Sequence, residues 1–317
     1  MRQILTLTVN PSVDIVWEVE EMAPNRKIRS SRGMTYPGGG GINVSRCISL
    51  LGGESWALIT RGGLTGTLLT ELLDEIGVSR RVVKIAGHTR LCGIVYERST
   101  GLEYRVTPPG PELDESEWQA CLDLVRQMNV DYVVATGSLA RGVPDDFYAR
   151  VAAVTKERGA KLILDTSGQA LHEALQEGVY LVKPSQSELE KLLGKKAFTN
   201  EQQEELARQI VDEGKAELVA LTLGEDGAVL VWKDGLLRLA SPEVEVKSAV
   251  GAGDTFVGAL THGLSQGRTP QDAFTLAVAA GAAAVMTPGT ELCHKEDVDR
   301  LYAEMVASQQ LAPAIPS

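Results

Sequence analysis

The chain is predicted to fold as an α/β protein, with a central, mostly parallel sheet and a small β subdomain inserted into it. Three observations predict this. Short β-rich runs alternate with segments of helical spacing; two stretches break that alternation and then yield to it again; and the composition is that of a chain with a large core. At 317 residues, 44% hydrophobic and 23% charged, disorder, collagen and repeat arrays are excluded.

The first run, Gln3-Ile4-Leu5-Thr6-Leu7-Thr8-Val9, leads into Asn10-Pro11 and reads as a buried strand meeting a turn. Further strands are expected at 55–60, 132–135, 161–164, 180–182 and 218–223. Helices are expected at 41–51, 66–76, 115–127, 144–158, 186–193, 201–213, 254–265 and 270–286. This is the rhythm of βαβ units around a parallel sheet. The breaks fall at 15–36 and at 90–107, where 92–98 and 103–106 alternate around Ser99-Thr100-Gly101. Since each returns to the α/β pattern, both are expected to form a β lid inserted into one domain spanning 1–317. Such a flap serves as a cover or an association surface. The tail after Val306, with Pro313 and Pro316, is expected to be loose.

Charge and cysteines narrow the function. A net charge of −11 excludes a general nucleic-acid or membrane surface, so an anionic ligand must meet a local basic patch. Cys47, Cys92, Cys121 and Cys293 lie far apart without a CxxC pair, and read as buried, reduced thiols. The longest apolar run, 276–286, is too short for a bilayer, and a cytoplasmic location is expected.

Two glycine-rich motifs precede predicted helices. Pro37-Gly38-Gly39-Gly40-Gly41-Ile42-Asn43 lets backbone approach a ligand closely, with amides and a positive dipole end aimed at an anion. Ser248-Ala249-Val250-Gly251-Ala252-Gly253-Asp254 opens a helix with small residues and sets a carboxylate beside free N–H groups. An acidic helix cap would explain an isolated GxGD. Two such sites in one chain suit phosphoryl transfer, where amides face the moving charge and the aspartate accepts the hydroxyl proton.

On these motifs, and over nearly its whole length, the sequence resembles the ribokinase-like sugar kinases, in their phosphofructokinase B branch. The resemblance runs from Thr8-Val9-Asn10-Pro11-Ser12-Val13-Asp14 to Gly289-Thr290-Glu291-Leu292. It implies a three-layer α/β/α fold with a β lid, and an ATP-dependent kinase for a phosphorylated ketohexose. The unbroken glycine run is similar to that of the 6-phosphofructokinases, so fructose 6-phosphate is the first choice. Relatives acting on fructose 1-phosphate or tagatose 6-phosphate, which usually have a lysine in that run, are the alternative.

By the same resemblance, Asp14, Gly39, Gly40, Asn43 and Ser138 match the sugar site, and Arg90 matches the residue gripping the sugar's own phosphate. Lys27 and Arg29, in the basic run Asn25-Arg26-Lys27-Ile28-Arg29, match lid positions that approach the ligands. Asp254 matches the catalytic base, with Gly251, Ala252 and Gly253 as the anion hole. For ATP the matches are Lys183, Ser185, Thr222, Gly224 and Gly227, with Val278 and Ala282 on a helix flanking the adenine. Glu188 is the expected outer-sphere group for Mg²⁺, and Ser248, Val250, Ala284, Gly289 and Glu291 match positions that hold a monovalent cation such as K⁺.

Departures from the family pattern keep the alternatives open. Ser185 stands where the family usually has an Asn, which unsettles metal handling and leaves room for a non-catalytic sugar-phosphate or nucleotide sensor. Asn10 is similar to the fructose 1-phosphate and tagatose 6-phosphate enzymes. Arg141 adds a cation to which the sequence gives no role. His88, His172, His262 and His294 share no motif with these positions and are expected to be structural or on the surface. Unpaired strand edges on the flap need covering, which predicts a homodimer through the lid.

Overall fold

A computed structural model describes residues 2–289 and 291–311; Met1, Thr290 and 312–317 lie outside them, and of the tail expected to be loose after Val306, residues 307–311 instead continue a helix. From the amino end, β1 (Ile4–Thr8) runs almost directly into β2 (Ser12–Val19) and β3 (Ser30–Gly38), followed by α1 (Gly40–Leu50), β4 (Trp56–Arg61), α2 (Gly63–Glu75) and β5 (Arg80–Lys84). The pair β6 (Arg90–Glu97) and β7 (Leu102–Val106) precedes α3 (Glu115–Gln127), β8 (Tyr132–Thr136), α4 (Phe147–Glu157), β9 (Lys161–Asp165), α5 (Gly168–Glu177) and β10 (Val179–Val182). Then come α6 (Gln186–Leu193), α7 (Asn200–Asp212), β11 (Ala216–Thr222), β12 (Ala228–Trp232), β13 (Gly235–Leu239), α8 (Ala252–Ser265), α9 (Pro270–Val285) and α10 (Lys295–Leu311).

Among the described residues, nine strands form the main sheet in the order β13-β12-β11-β10-β9-β8-β1-β4-β5, parallel except for the hairpin edge β12–β13. β1 and β8 are buried along their whole length, as strands covered on both faces must be, and their uncharged sequences, apolar but for threonines and Tyr132, reflect it. Helices α3 to α7 pack on one face; α1, α8 and α9 cover the other, with α2 beside α1 and α10 outside α9. The result is three layers around two cores. A separate four-stranded sheet, β3-β2-β6-β7, comes from the two breaks in the α/β rhythm.

Capping fixes the helix starts that sequence locates well. Asp114 accepts from the Glu117 amide, and the Glu117 carboxylate accepts from the Asp114 amide, so α3 covers its expected span. Ser185 and Glu188 do the same for α6. Elsewhere the structure corrects the reading. The helix expected from 144 starts at Phe147, because a turn closes first between the Pro144 carbonyl and the Phe147 amide. α8 starts two residues before Asp254, on a left-handed Gly251. α5, α10, β5 and the hairpin β12–β13 were not anticipated by the sequence pattern.

Topology positions the site. β1 lies between β8 and β4, so connections leave it toward both edges, and the carboxyl ends of β1 and β8 flank the crevice where the strand order reverses. β2 rises from that same end of β1, which sets the small sheet beside the crevice.

Candidate active site

Two helices start in the crevice without a side-chain cap. Gly39 precedes α1 with φ 118°, and Gly251 precedes α8 with φ 74°, values that favour glycine. The first-turn amides are therefore not claimed by any capping side chain. Glycine is also required by contact: a Cβ on Gly38 would lie 2.3 Å from Asp14 Oδ1, and one on Gly40 would lie 1.9 Å from Thr136 Oγ1 and 3.1 Å from Asp254 Oδ1. The run therefore packs directly against both carboxylates.

Asp254 accepts a hydrogen bond from Asn43 Nδ2 at 2.9 Å, joining the two glycine motifs across 211 residues of chain. Burial raises its carboxyl above the ordinary aspartate value, against the opposing pull of Asn43 and Lys183. Asp14 accepts from Ser12 Oγ at 2.5 Å, and burial raises it too, opposed by Ser12 and Arg90. A half-buried carboxylate with an elevated pKa is suited to accept a proton.

The neighbouring strand ends supply a cation and hydroxyls. Lys183, buried after β10, pairs with Asp165 at the end of β9 at 3.1 Å. Burial pushes Asp165 up to about 6 although Lys183 opposes it; burial also works to lower Lys183, but Asp165, Glu188 and Asp254 hold the ammonium above its ordinary value. The ammonium is the member that stays charged, because three carboxylates face it. A Cβ on Gly253 would lie 3.7 Å from Lys183 Nζ, so this cation sits at the first turn of α8. Ser185 Oγ donates to Glu188 Oε2 at 2.8 Å, and the Thr222 amide donates to the Pro184 carbonyl at 3.0 Å. Lys183, Ser185, Glu188 and Thr222 thus gather at the carboxyl ends of β10 and β11. Gly224 and Gly227 bound the short turn that follows, where a Cβ on Gly227 would lie 2.1 Å from the Leu239 carbonyl.

Several expected residues stand otherwise. Lys27 and Arg29 are exposed on the loop between β2 and β3, with no hydrogen bond or ion pair among the described residues. The Arg90 guanidinium donates to the Pro108 carbonyl at 3.0 Å and the Asn10 carbonyl at 2.9 Å, which leaves only part of its fork for a ligand. Ser138 is exposed, 3.4 Å from Asn10 Nδ2. Val278 and Ala282 are buried in the cores around α9, so these side chains pack against protein instead of lining an open cleft. Ser248 Oγ donates to Glu103 Oε2 of β7 at 3.1 Å and accepts from the Val250 amide. The Ala284 carbonyl already accepts from both the amide and the hydroxyl of Thr287. Among the described residues, no three His, Cys, Asp or Glu side chains cluster as metal ligands. The four cysteines are free and buried, as expected.

Sequence reading missed Asp165, Arg46, Thr136 and Glu103. Asp165 and Thr136, each at the carboxyl end of an expected strand, had a visible signal; Arg46 and Glu103 are drawn in only through tertiary contacts.

Comparison with known proteins gives concordant findings. The model of the pfkB family of carbohydrate kinases matches residues 8–297. The chain is 42% identical over 302 residues to the ATP-dependent 6-phosphofructokinase isozyme 2 of Mycobacterium tuberculosis, covering 95% of this chain and 89% of that one. It is 35% identical to the Escherichia coli protein of the same name, over 96% and 99% of the two chains, and 32% identical to the 1-phosphofructokinase of Bacillus subtilis, over 95% and 98%. The crystal structure of phosphofructokinase-2 from Escherichia coli in complex with potassium superposes with a TM-score of 0.93 at 35% identity, covering 96% of this chain and all of that one. The same protein has been solved with fructose-6-phosphate and in a tetrameric inhibited form, both with a TM-score of 0.92 at 34% identity over the same shares.

Proposed function

Since this chain belongs to the pfkB family of carbohydrate kinases, we propose that it transfers the γ-phosphate of ATP to the O1 hydroxyl of fructose 6-phosphate, giving fructose 1,6-bisphosphate. The observation that carries this reading is Asp254, held by Asn43 at the mouth of a helix whose first amides no side chain caps. The Asp254 carboxylate takes the O1 proton as that oxygen attacks phosphorus. The bond from the γ-phosphorus to its bridging oxygen breaks, ADP leaves, and the proton stays on Asp254 until solvent removes it. The backbone at Gly251, Ala252 and Gly253 faces the charge of the moving phosphoryl group, and Lys183 adds a fixed cation beside it. Asp14, Gly39, Gly40 and Asn43 orient the sugar, with Arg90 and Ser138 toward its phosphate. Lys27 and Arg29 are assigned to the ligands only if the small sheet brings their loop inward.

The residues present fit the accessory groups unevenly. Glu188 Oε2 is used by Ser185, and its second oxygen suits a water-mediated contact with Mg²⁺, which neutralises phosphate oxygens when bound. Thr222, Gly224 and Gly227 supply the nucleotide turn, with Val278 and Ala282 behind it as packing. For a monovalent cation, Ser248, Val250, Gly289 and Glu291 offer backbone and carboxylate oxygens. Ala284 fits poorly, because Thr287 occupies its carbonyl. A potassium complex of the Escherichia coli protein supports such a site.

A homodimer through the small sheet is part of the proposal. Leu91, Tyr96, Leu102, Tyr104 and Val106 are exposed on its strands, Val106 at 68%, more apolar surface than an isolated flap keeps uncovered. No helix among the described residues is long and apolar enough to cross a membrane.

ADP release tests the proposal, measured with Mg²⁺ and K⁺ against fructose 6-phosphate, fructose 1-phosphate, tagatose 6-phosphate and free fructose. Fructose 6-phosphate is expected to lead, and Asp254→Asn to lose at least about a hundredfold. Preference for another phosphorylated ketohexose would reassign the substrate within the family. ATP binding with no turnover on any sugar would overturn the reading in favour of a sensor.

A further inference from the structure

Arg46 was not among the expected site residues, yet it points into the crevice from α1, one turn after Asn43. Its Nη1 donates to Asn43 Oδ1 at 3.1 Å, and Asn43 Nδ2 in turn donates to Asp254 Oδ2 at 2.9 Å. Its guanidinium carbon lies 5.9 Å from the ring centroid of Tyr36, on β3 of the small sheet. A guanidinium has only donors and an ionised carboxylate only acceptors. Between them, a primary amide has one arrangement that satisfies both neighbours: oxygen toward Arg46, nitrogen toward Asp254. A flipped Asn43 would set its oxygen against the Asp254 carboxylate and its N–H groups against the guanidinium.

We propose that Arg46 is a positioning residue for phosphoryl transfer: it locks the Asn43 amide in the orientation that holds Asp254, with Tyr36 of the small sheet forming one wall of its site. The inference rests on the kinase reading for its consequence, but the lock itself is a property of the unliganded protein. It also places a side chain of the small sheet beside the group that orients Asn43.

The charged and titratable groups facing Asp254 come from every element around it. Arg46 and Asn43 approach from α1, Asp14 from β2, Asp165 from the end of β9 and Lys183 from the end of β10. Arg46 and Lys183 favour the ionised form, whereas Asp14 and Asp165 oppose it. Losing Arg46 removes a favourable charge and frees Asn43 to turn, and both effects have the same sign.

The test uses the full chain with Arg46→Met, Arg46→Lys, Asn43→Ala and the Arg46→Met/Asn43→Ala double variant. One readout is independent of turnover: the titration of the Asp254 carboxyl by ¹³C NMR on aspartate-labelled protein, assigned with Asp254→Asn. Arg46→Met is expected to move its midpoint to higher pH, and Arg46→Lys, which keeps the charge, to move it less. In kinetics, Arg46→Met is expected to lower kcat about tenfold to a hundredfold with the KM for ATP within about twofold. In the Asn43→Ala background the same substitution should cost less than about threefold, because the group it orients is gone. An unmoved Asp254 midpoint overturns the proposal, as does an equal kcat loss in both backgrounds or a loss confined to the KM for sugar phosphate. Should Arg46→Met fail to fold by thermal melting, Arg46→Lys carries the same comparison, since an ammonium lacks the planar fork. If the native protein turns over no sugar phosphate, the kinase reading fails while the titration still decides the lock.

Discussion

A methyl group added at residue 40 probes how closely the first glycine motif is fitted to the candidate site. In Gly40→Ala the new carbon would lie 1.9 Å from Thr136 Oγ1, 3.0 Å from Thr136 Cβ and 3.1 Å from Asp254 Oδ1. A relaxed contact needs roughly 3.5 Å, so α1 and the end of β8 must part by about 1.5 Å, or Thr136 must leave its rotamer. Overpacking of this kind costs about 1–3 kcal/mol. The lower chain entropy of alanine returns about 0.5–1 kcal/mol at a helix start, where φ is ordinary. The net expectation is a loss of about 1–2 kcal/mol, a drop in melting temperature of about two to four degrees. Activity should fall further than stability, because the same displacement shifts Asp254; a misplacement approaching 1 Å lowers kcat by about a hundredfold. Thr136→Ala in the Gly40→Ala background supplies the control. It removes the hydroxyl at 1.9 Å, and since that buried oxygen has no hydrogen-bond partner among the described residues, little is lost with it. Melting and kcat should both recover in large part. A Gly40→Ala protein that melts and turns over like the native one, or that Thr136→Ala does not rescue, would refute the argument that contact explains this glycine.

Other consequences can be measured in parallel. Asp165→Asn leaves the buried Lys183 ammonium without its nearest carboxylate and should cost about 3 kcal/mol in denaturant unfolding, an upper value because Glu188 and Asp254 also face it. The acid limb of kcat/KM should lie above the ordinary carboxylate range near pH 4, since burial raises Asp254 and the base must be ionised; a limb at or below that range argues against Asp254 as the base. Glu190 is held down to about 2 by Lys196, the Ala197 amide and Gln186, so its contribution is complete above its ordinary value of 4.5 and lost as pH falls through 2. Melting of native and Glu190→Gln proteins should accordingly differ at pH 6 and converge on acidification through that window. Val106→Asp should shift sedimentation from dimer to monomer if the small sheet is the interface, and leave it unchanged if association occurs elsewhere.

The legible parts of the fold are those where local chemistry and tertiary packing agree. β1 and β8 announce themselves because a strand covered on both faces carries no charge, and both are apolar but for threonines and Tyr132. α3 and α6 have the expected limits because Asp114 with Glu117, and Ser185 with Glu188, terminate them locally. β5 is hidden by Arg80, Arg81 and Lys84, charges that an edge strand carries to discourage further pairing. β12–β13 is joined by the two-residue turn Lys233-Asp234, with Gly235 already in β13, and lies outside the strand-then-helix rhythm. In the site, glycine motifs are visible because their need for close approach is written in consecutive residues. Arg46 is not, because it acquires its place from Asn43 and, through it, from Asp254 in another part of the chain.

The Asn43–Asp254 bond spans 211 residues, and that separation has a consequence for the protein as it is made. A nascent chain leaves the ribosome with Asn43 early and Asp254 near the end, so the two cannot pair in any partial product that lacks α8. β1 likewise waits for Tyr132 to Ala135 of β8 before its second edge is covered. During that interval a strand that is buried in the finished fold is open along one edge, and an unpaired edge is where misassembly starts when synthesis stalls. The Asn43–Asp254 contact therefore forms only after every strand of the main sheet has been made, and termination before α8 leaves the first glycine motif without its partner.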